Sequence, residues 1–164
     1  PVSSELKGYM EELAKLTDKL SLEVENGGEA PCVKVYREDG SYSGLAFHGV
    51  PGGHEFTSFV LGLYNAAGPG QSLDADVREA IGALGKQDLK VLVSLSCTMC
   101  PELVTAAQRI AAENDAITAE VYDLNHFPAI RDKYNVMSVP CLVIGDEQIS
   151  FGKKNMHQIL DLLG

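Results

Sequence analysis

KVLVSLSCTMCPELVTAAQRI, residues Lys90 to Ile110, is the stretch from which this chain is best read. Val91, Leu92, Val93 and Leu95 form an apolar, β-branched run of the kind that makes a buried strand. Cys97-Thr98-Met99-Cys100 follows at once, and Pro101 sits where a helix would begin. Proline suits the first helical turn because the N–H it lacks has no intrahelical partner there. Leu103, Ala106, Ala107 and Ile110 then recur at steps of three and four, one apolar helix face. Strand, C-x-x-C and helix in that order put two thiols where unpaired backbone N–H groups and the helix dipole favour a thiolate. Cysteines so placed have pKa values lowered to roughly 3.5–7.5. Cys97, nearer the exposed lip, is expected to attack, and Cys100 to resolve the mixed disulfide. Two plainer readings stay open here: half of a zinc site, or a structural disulfide. A four-ligand zinc knuckle normally needs a second paired motif, and no other C-x-x-C or H-x-x-x-H occurs.

The composition bounds the function classes. The 164 residues, 45% of them hydrophobic, suffice for one domain or two small ones with a real core. A net charge of −10 argues against nucleic acid and anionic membrane as partners and fits steering toward a complementary protein surface. No apolar run approaches the roughly 20 residues that cross a bilayer, and no signal peptide is visible. A chain that opens on Pro1 rather than Met reads as a fragment or a processed product. One C-x-x-C plus two scattered cysteines suits a reducing cytoplasm better than a disulfide scaffold.

In chain order, Ser3 to Leu20 reads as an amphipathic helix, with Leu6, Met10, Leu13 and Leu16 on one stripe. Leu20, Leu22 and Val24 alternate as in a strand, ended by Asn26-Gly27-Gly28. A second strand starts at Cys32 after Pro31, turns at Asp39-Gly40 and returns over Tyr42 to His48. His54 to Ala66 is helical, with Phe56, Phe59, Val60 and Leu63 inward, and Gly68-Pro69-Gly70 is a boundary. Beyond it come a helix over Ala75 to Leu84, the redox strand, and the helix that runs from Cys100 to about Asn114. A strand over Ile117 to Val121, a short helix over Phe127 to Tyr134, a hairpin about Gly145-Asp146 and a closing helix to Leu163 complete the order.

The two parts repeat. Helix, strand, Ala30-Pro31-Cys32, hairpin, helix corresponds to helix, strand, Val139-Pro140-Cys141, hairpin, helix, with Asn125 to Ser138 inserted in the second. The predicted class is therefore α/β: two tandem thioredoxin-like folds in a mixed sheet flanked by helices. Residues 1–68 form a redox-inactive half and residues 69–164 carry the C-x-x-C. The first half lacks an opening strand, which leaves sheet edges to be covered.

Gly53-His54-Glu55-Phe56-Thr57-Ser58-Phe59-Val60-Leu61, Ser94-Leu95-Ser96-Cys97-x-x-Cys100-Pro101 and Val136-Met137-Ser138-Val139-Pro140 resemble the tandem-thioredoxin domain of the flavoprotein component of alkyl hydroperoxide reductase. The resemblance covers nearly the whole chain. It implies a dithiol carrier that takes electrons from a flavoprotein reductase module holding FAD and NADH and reduces the disulfide of a two-cysteine peroxiredoxin. No cofactor is expected in this chain, which has no G-x-G-x-x-G. The sequence departs from the family in lacking the opening helix and strand, in the Thr98-Met99 pair, and in the cysteines after both prolines. A clostridial-type thioredoxin reductase is therefore another flavoprotein that could be fused to it. A general protein disulfide oxidoreductase of the glutaredoxin type is a nearer alternative.

The resemblance also implies roles for two further residues. Pro140 matches the cis-proline opposite the C-x-x-C, whose loop offers backbone groups to a substrate strand; Pro31 invites the same reading. Glu55 matches a carboxylate near the redox pair that assists proton transfer. The plainer reading of Glu55 is a first-turn glutamate favoured by the helix dipole. Cys141 could be a third redox thiol, or with Cys97 and Cys100 a zinc or iron–sulfur ligand; otherwise it and Cys32 are small core residues. His48, His126 and His157 show no metal-ligand spacing, and Met99 reads as a surface contact tuning partner choice.

Overall fold

A computed structural model describes residues 2–16, 20–23 and 31–164. The six strands of these residues are β1 (Cys32–Tyr36), β2 (Tyr42–His48), β3 (Gln87–Val93), β4 (Ile117–Asp123), β5 (Cys141–Ile144) and β6 (Gln148–Phe151). The helices are α1 (Val2–Lys15), α2 (Phe56–Ala67), α3 (Ala75–Gly82), α4 (Cys100–Glu113), α5 (Pro128–Lys133) and α6 (Met156–Leu163). The strands form one mixed sheet in the order β1-β2-β4-β3-β5-β6. The pairs β2–β4 and β3–β4 are parallel, and the outer pairs β1–β2, β3–β5 and β5–β6 are antiparallel.

β3 sits inside the sheet with both faces covered, which is why its sequence runs apolar without alternation. Val91, Val93, Val121 and Leu142 pack beneath Leu103, Ala107 and Ile110 of α4, with Phe59 of α2 and Ile159 of α6 in the same cluster. The opposite face carries a smaller cluster of Leu92, Tyr122, Leu124, Tyr134, Cys141 and Val143, with Phe127 and Ile130 packed on it. The α5 insertion thus supplies the lid of the second face.

β2 and β4 join the part before Gly68 to the part after it by parallel pairing from Leu45↔Ala119 to His48↔Tyr122. Gly44 makes this approach possible: its φ of +89° lies in the left-handed region, and a Cβ there would sit 2.6 Å from the Ile117 carbonyl oxygen. β1 is the outer strand at this end of the sheet among the described residues. Residues 20–23, expected as strand, carry no regular structure, and Val24 lies outside the described residues. Among the described residues, the edge that a missing strand leaves unpaired is the outer edge of β1. That strand is short, carries Lys34 and has a register shift between Val35 and Tyr36, features that blunt an edge. The first helix ends at Lys15; residues 17–19 of its expected span lie outside the described residues.

Two expected inward residues of α2 turn outward. Phe56 and Val60 are exposed, while Phe59 is buried and Leu63 packs against the core. The apolar stripe of this helix is wider than the surface it covers, and sequence periodicity alone does not say which edge of the stripe wins.

Candidate active site

The loop from Ser94 to Met99 crosses from the end of β3 to the start of α4. Its turn is closed by the Cys97 N–H donating to the Ser94 carbonyl at 3.0 Å. Cys97 and Cys100 are joined as a disulfide with their Cα atoms 5.6 Å apart. Cys100 is the first residue of α4 and fully buried, with Pro101 in the first turn. Cys97 lies in the turn ahead of the helix and is half-buried. The half-buried sulfur thus lies ahead of the helix rather than within it. The unpaired N–H groups of α4 nevertheless open toward the disulfide end of the loop.

A second segment holds this loop from the side. Gly52-Gly53 leads into a turn of 3₁₀ helix, Gly53–Glu55, and the His54 N–H donates to the Leu95 carbonyl at 3.0 Å. Gly53 has φ +54°, and a Cβ on it would stand 2.8 Å from that same carbonyl oxygen, so the contact needs glycine. The next residue but one, Glu55, is buried with 0% exposure. Its Oε1 accepts from the Ser58 hydroxyl at 2.5 Å, and Oε2 has no hydrogen-bond partner among the described residues. Burial pushes the carboxyl up to about 7, against the opposing effect of the Ser58 hydrogen bond. Glu55 thus stands at the start of α2, where the plainer reading puts it, and is buried there.

The loop before β5 supplies the third side. The Val139–Pro140 bond is cis, and the Pro140 carbonyl accepts from the Gly152 N–H at 3.0 Å. Gly68–Pro69 is also cis; the bond before Pro31 involves Ala30, outside the described residues. Two methionines are strongly exposed: Met99 inside the motif at 57%, and Met137, three residues before Pro140, at 79%.

The remaining cysteines separate. Cys141 pairs with Leu92 across the β3–β5 ladder and belongs to the Leu92–Tyr122 cluster, whereas Cys97 and Cys100 belong with the core on the other face. Cys97, Cys100 and Cys141 therefore do not gather around one point. Among the described residues no group of three or more His, Cys, Asp or Glu side chains is arranged to hold a metal ion. Burial pushes the Cys141 thiol up to about 11, only partly offset by the nearby Lys154 ammonium. Cys32 departs from its expected place in the core: it is half-buried on the edge strand, 3.9 Å from His48. No helix of the described residues is long and apolar enough to cross a membrane.

A mixed sheet flanked by helices, with a disulfide-capable cysteine pair at the head of a helix and a cis-proline loop beside it, defines a thioredoxin-like domain. Consistent with this, a family model described as a thioredoxin domain matches residues 87–163. The solved N-terminal domain of alkyl hydroperoxide reductase AhpF from Enterococcus faecalis superposes with a TM-score of 0.96 at 36% identity, covering 99% of this chain and 84% of that one. The corresponding F component of the alkyl hydroperoxide reductase of Pseudomonas aeruginosa is 34% identical over 159 residues, which are 96% of this chain and 30% of that protein. A protein disulfide oxidoreductase from Aeropyrum pernix matches with a TM-score of 0.72 at 26% identity, covering 83% of this chain and 59% of that one. The chain belongs to the family of the N-terminal domain of the alkyl hydroperoxide reductase AhpF. It spans about a third of the length of the curated relatives it matches.

Proposed function

We propose that this chain is a cytoplasmic thiol–disulfide electron carrier that takes reducing equivalents from a flavoprotein reductase module and passes them to the disulfide of a two-cysteine peroxiredoxin. The observation that carries this reading is the Cys97–Cys100 disulfide itself, one sulfur partly exposed and the other buried at the head of α4. In the reduced state the Cys97 thiolate attacks one sulfur of the partner's disulfide. A mixed disulfide forms and the partner's second thiolate leaves. Cys100 then attacks the Cys97 sulfur, which restores the intramolecular disulfide and releases the reduced partner. For each disulfide reduced, one Cys97–Cys100 disulfide is formed, so two electrons move.

Glu55 is the proton acceptor for the resolving step. A buried carboxyl whose pKa is raised to about 7 exchanges a proton near neutral pH, where the Cys100 thiol must lose one. Its Oε2, lacking a hydrogen-bond partner among the described residues, is the available acceptor. Pro140 and the residues before it form the rim on which a partner segment lies, and no ionisable role falls to it. FAD and NADH belong to the flavoprotein module; the present chain has no G-x-G-x-x-G to hold a dinucleotide. We read residues 1–68 as the redox-silent half and 69–164 as the active half. No part is assigned to nucleic acid or membrane.

A reductase-coupled assay following NADH oxidation tests this. Cys97→Ser should abolish peroxiredoxin-dependent turnover, and a variant with full rate would refute the assignment. The Aeropyrum pernix match favours one second reading, a general protein disulfide oxidoreductase. In that case unrelated protein disulfides would be reduced as fast as the peroxiredoxin's.

A further inference from the structure

Away from the disulfide, the described residues bring a second thiol against a buried base. Cys32 at the start of β1 lies directly across from His48, which lies across from Tyr122 on β4. The Cys32 sulfur is 3.9 Å from His48 Nε2, and the same nitrogen is 2.9 Å from a Glu120 carboxylate oxygen. The imidazole is 4% exposed, stacked flat on Tyr122 with ring centroids 3.9 Å apart and held edge-on by Phe127 at 5.8 Å. It cannot swing away from the sulfur without losing both ring contacts. Burial works against its charged form, but the contacts with Cys32 and Glu120 outweigh burial and push it up to about 9. Glu120 thus favours the charged form of the ring that lies against the Cys32 sulfur.

The carboxylate does not serve His48 alone. Lys90 on β3 and Lys34 on β1 also hold Glu120 below the ordinary carboxylate range, after the His48 hydrogen bond and against burial. Lys90 in turn is bound by Asp146 at 2.9 Å, and the phenol of Tyr42 faces the same cluster. His48, Lys90 and Lys34 thus face Glu120, with Lys90 shared between Glu120 and Asp146, on a chain whose net charge is −10. A negative charge beside Cys32 faces the His48 ring and, two residues along the same face of β1, Lys34.

Cys32 is half-buried on the outer strand among the described residues, which leaves part of its surface to a small reagent. Its counterpart after the other proline, Cys141, is sealed. We propose that Cys32, His48 and Glu120 form a second thiol site, separate from the Cys97–Cys100 pair, which captures low-molecular-weight disulfides bearing carboxylates as a mixed disulfide on Cys32. The Cys32 thiolate attacks one sulfur of the small disulfide RS–SR. The RS–SR bond breaks, Cys32–S–SR forms, and RS⁻ leaves to take a proton from water. The total number of disulfide bonds is unchanged, and no further oxidant is needed. The imidazolium of His48 stabilises the attacking anion, and Glu120 keeps the ring charged and in place.

The test uses the Cys97→Ser, Cys100→Ser chain, which removes the carrier chemistry and so is independent of the function proposed above. Oxidised glutathione is the anionic probe and cystamine the cationic one, with uptake followed by intact mass and peptide mapping. One glutathione should load on Cys32 at least about tenfold faster in the folded chain than in the urea-unfolded chain, the scale of one well-placed charge. Cys141 should stay unmodified, and the folded-chain advantage should shrink with cystamine. His48→Gln should remove the advantage. If that variant fails to fold, the comparison of the two probes on the chain that keeps His48 decides. Equal loading in folded and unfolded chains, equal advantage for both probes, or an unchanged rate in folded His48→Gln would overturn the proposal.

Discussion

The N–H of His54 donates to the carbonyl of Leu95 at 3.0 Å and thereby fixes Glu55 next to the turn that carries Cys97. The contact depends on Gly53, whose backbone is left-handed and whose Cα faces the same carbonyl. Gly53→Ala should therefore destabilise the fold by about 1–3 kcal/mol through backbone strain and the displaced hydrogen bond. Denaturant melts would measure the loss, and carrier turnover should fall with it. A variant as stable and as active as the parent would show that the glycine is incidental.

Glu55 should make stability depend on pH in a stated direction. Its folded pKa of about 7 stands above the ordinary 4.5, so between those values the folded chain holds a proton that the unfolded chain has lost. Stability from this group is full below the unfolded value and declines as pH rises through the folded one, by up to about 3 kcal/mol. Glu55→Gln should flatten that decline and raise stability at pH 8, while slowing the resolving step. Melting curves at pH 5 and pH 8, compared between variant and parent, read both signs.

Met99 inside the motif and Met137 in the loop before Pro140 are soft, exposed apolar groups, suited to a partner segment of imperfectly matched shape. Met99→Ser with Met137→Ser should raise KM for the protein disulfide by about tenfold, the value of one buried side chain, with kcat nearly unchanged. A fall in kcat at constant KM would point instead to an effect on the thiols.

Cys141 is a core residue in this account. Cys141→Ala should cost about 1 kcal/mol of stability, as deleting one buried group does, and leave electron transfer intact. Alkylation of the reduced chain should spare it until the fold opens.

Much of this was legible in the residues. The β3 run, the proline after Cys100 and the three-and-four spacing of α4 specify their elements locally, so strand, motif and helix follow from sequence. The fold class and the closing hairpin were legible for the same reason. The burial of Glu55 was legible only through the family resemblance, because it arises from a contact distant in the chain, between the Gly53 turn and Leu95. The Cys32–His48 pair was hidden by a register shift. Extending the hairpin from Tyr36↔Tyr42 would put Ala46 opposite Cys32, but the irregularity between Val35 and Tyr36 moves His48 there instead. A bulge of this kind depends on the Gly44 backbone and its neighbour strand β4, neither of which a propensity reading sees.

The measurement that bears most directly on the carrier assignment is capture of the covalent intermediate. Reduced Cys100→Ser chain, mixed with an oxidised two-cysteine peroxiredoxin, should accumulate a one-to-one adduct that dithiothreitol dissolves, and peptide mapping should find the bond on Cys97. An adduct through Cys32 or Cys141, or none while the parent chain reduces the same peroxiredoxin, would contradict the account.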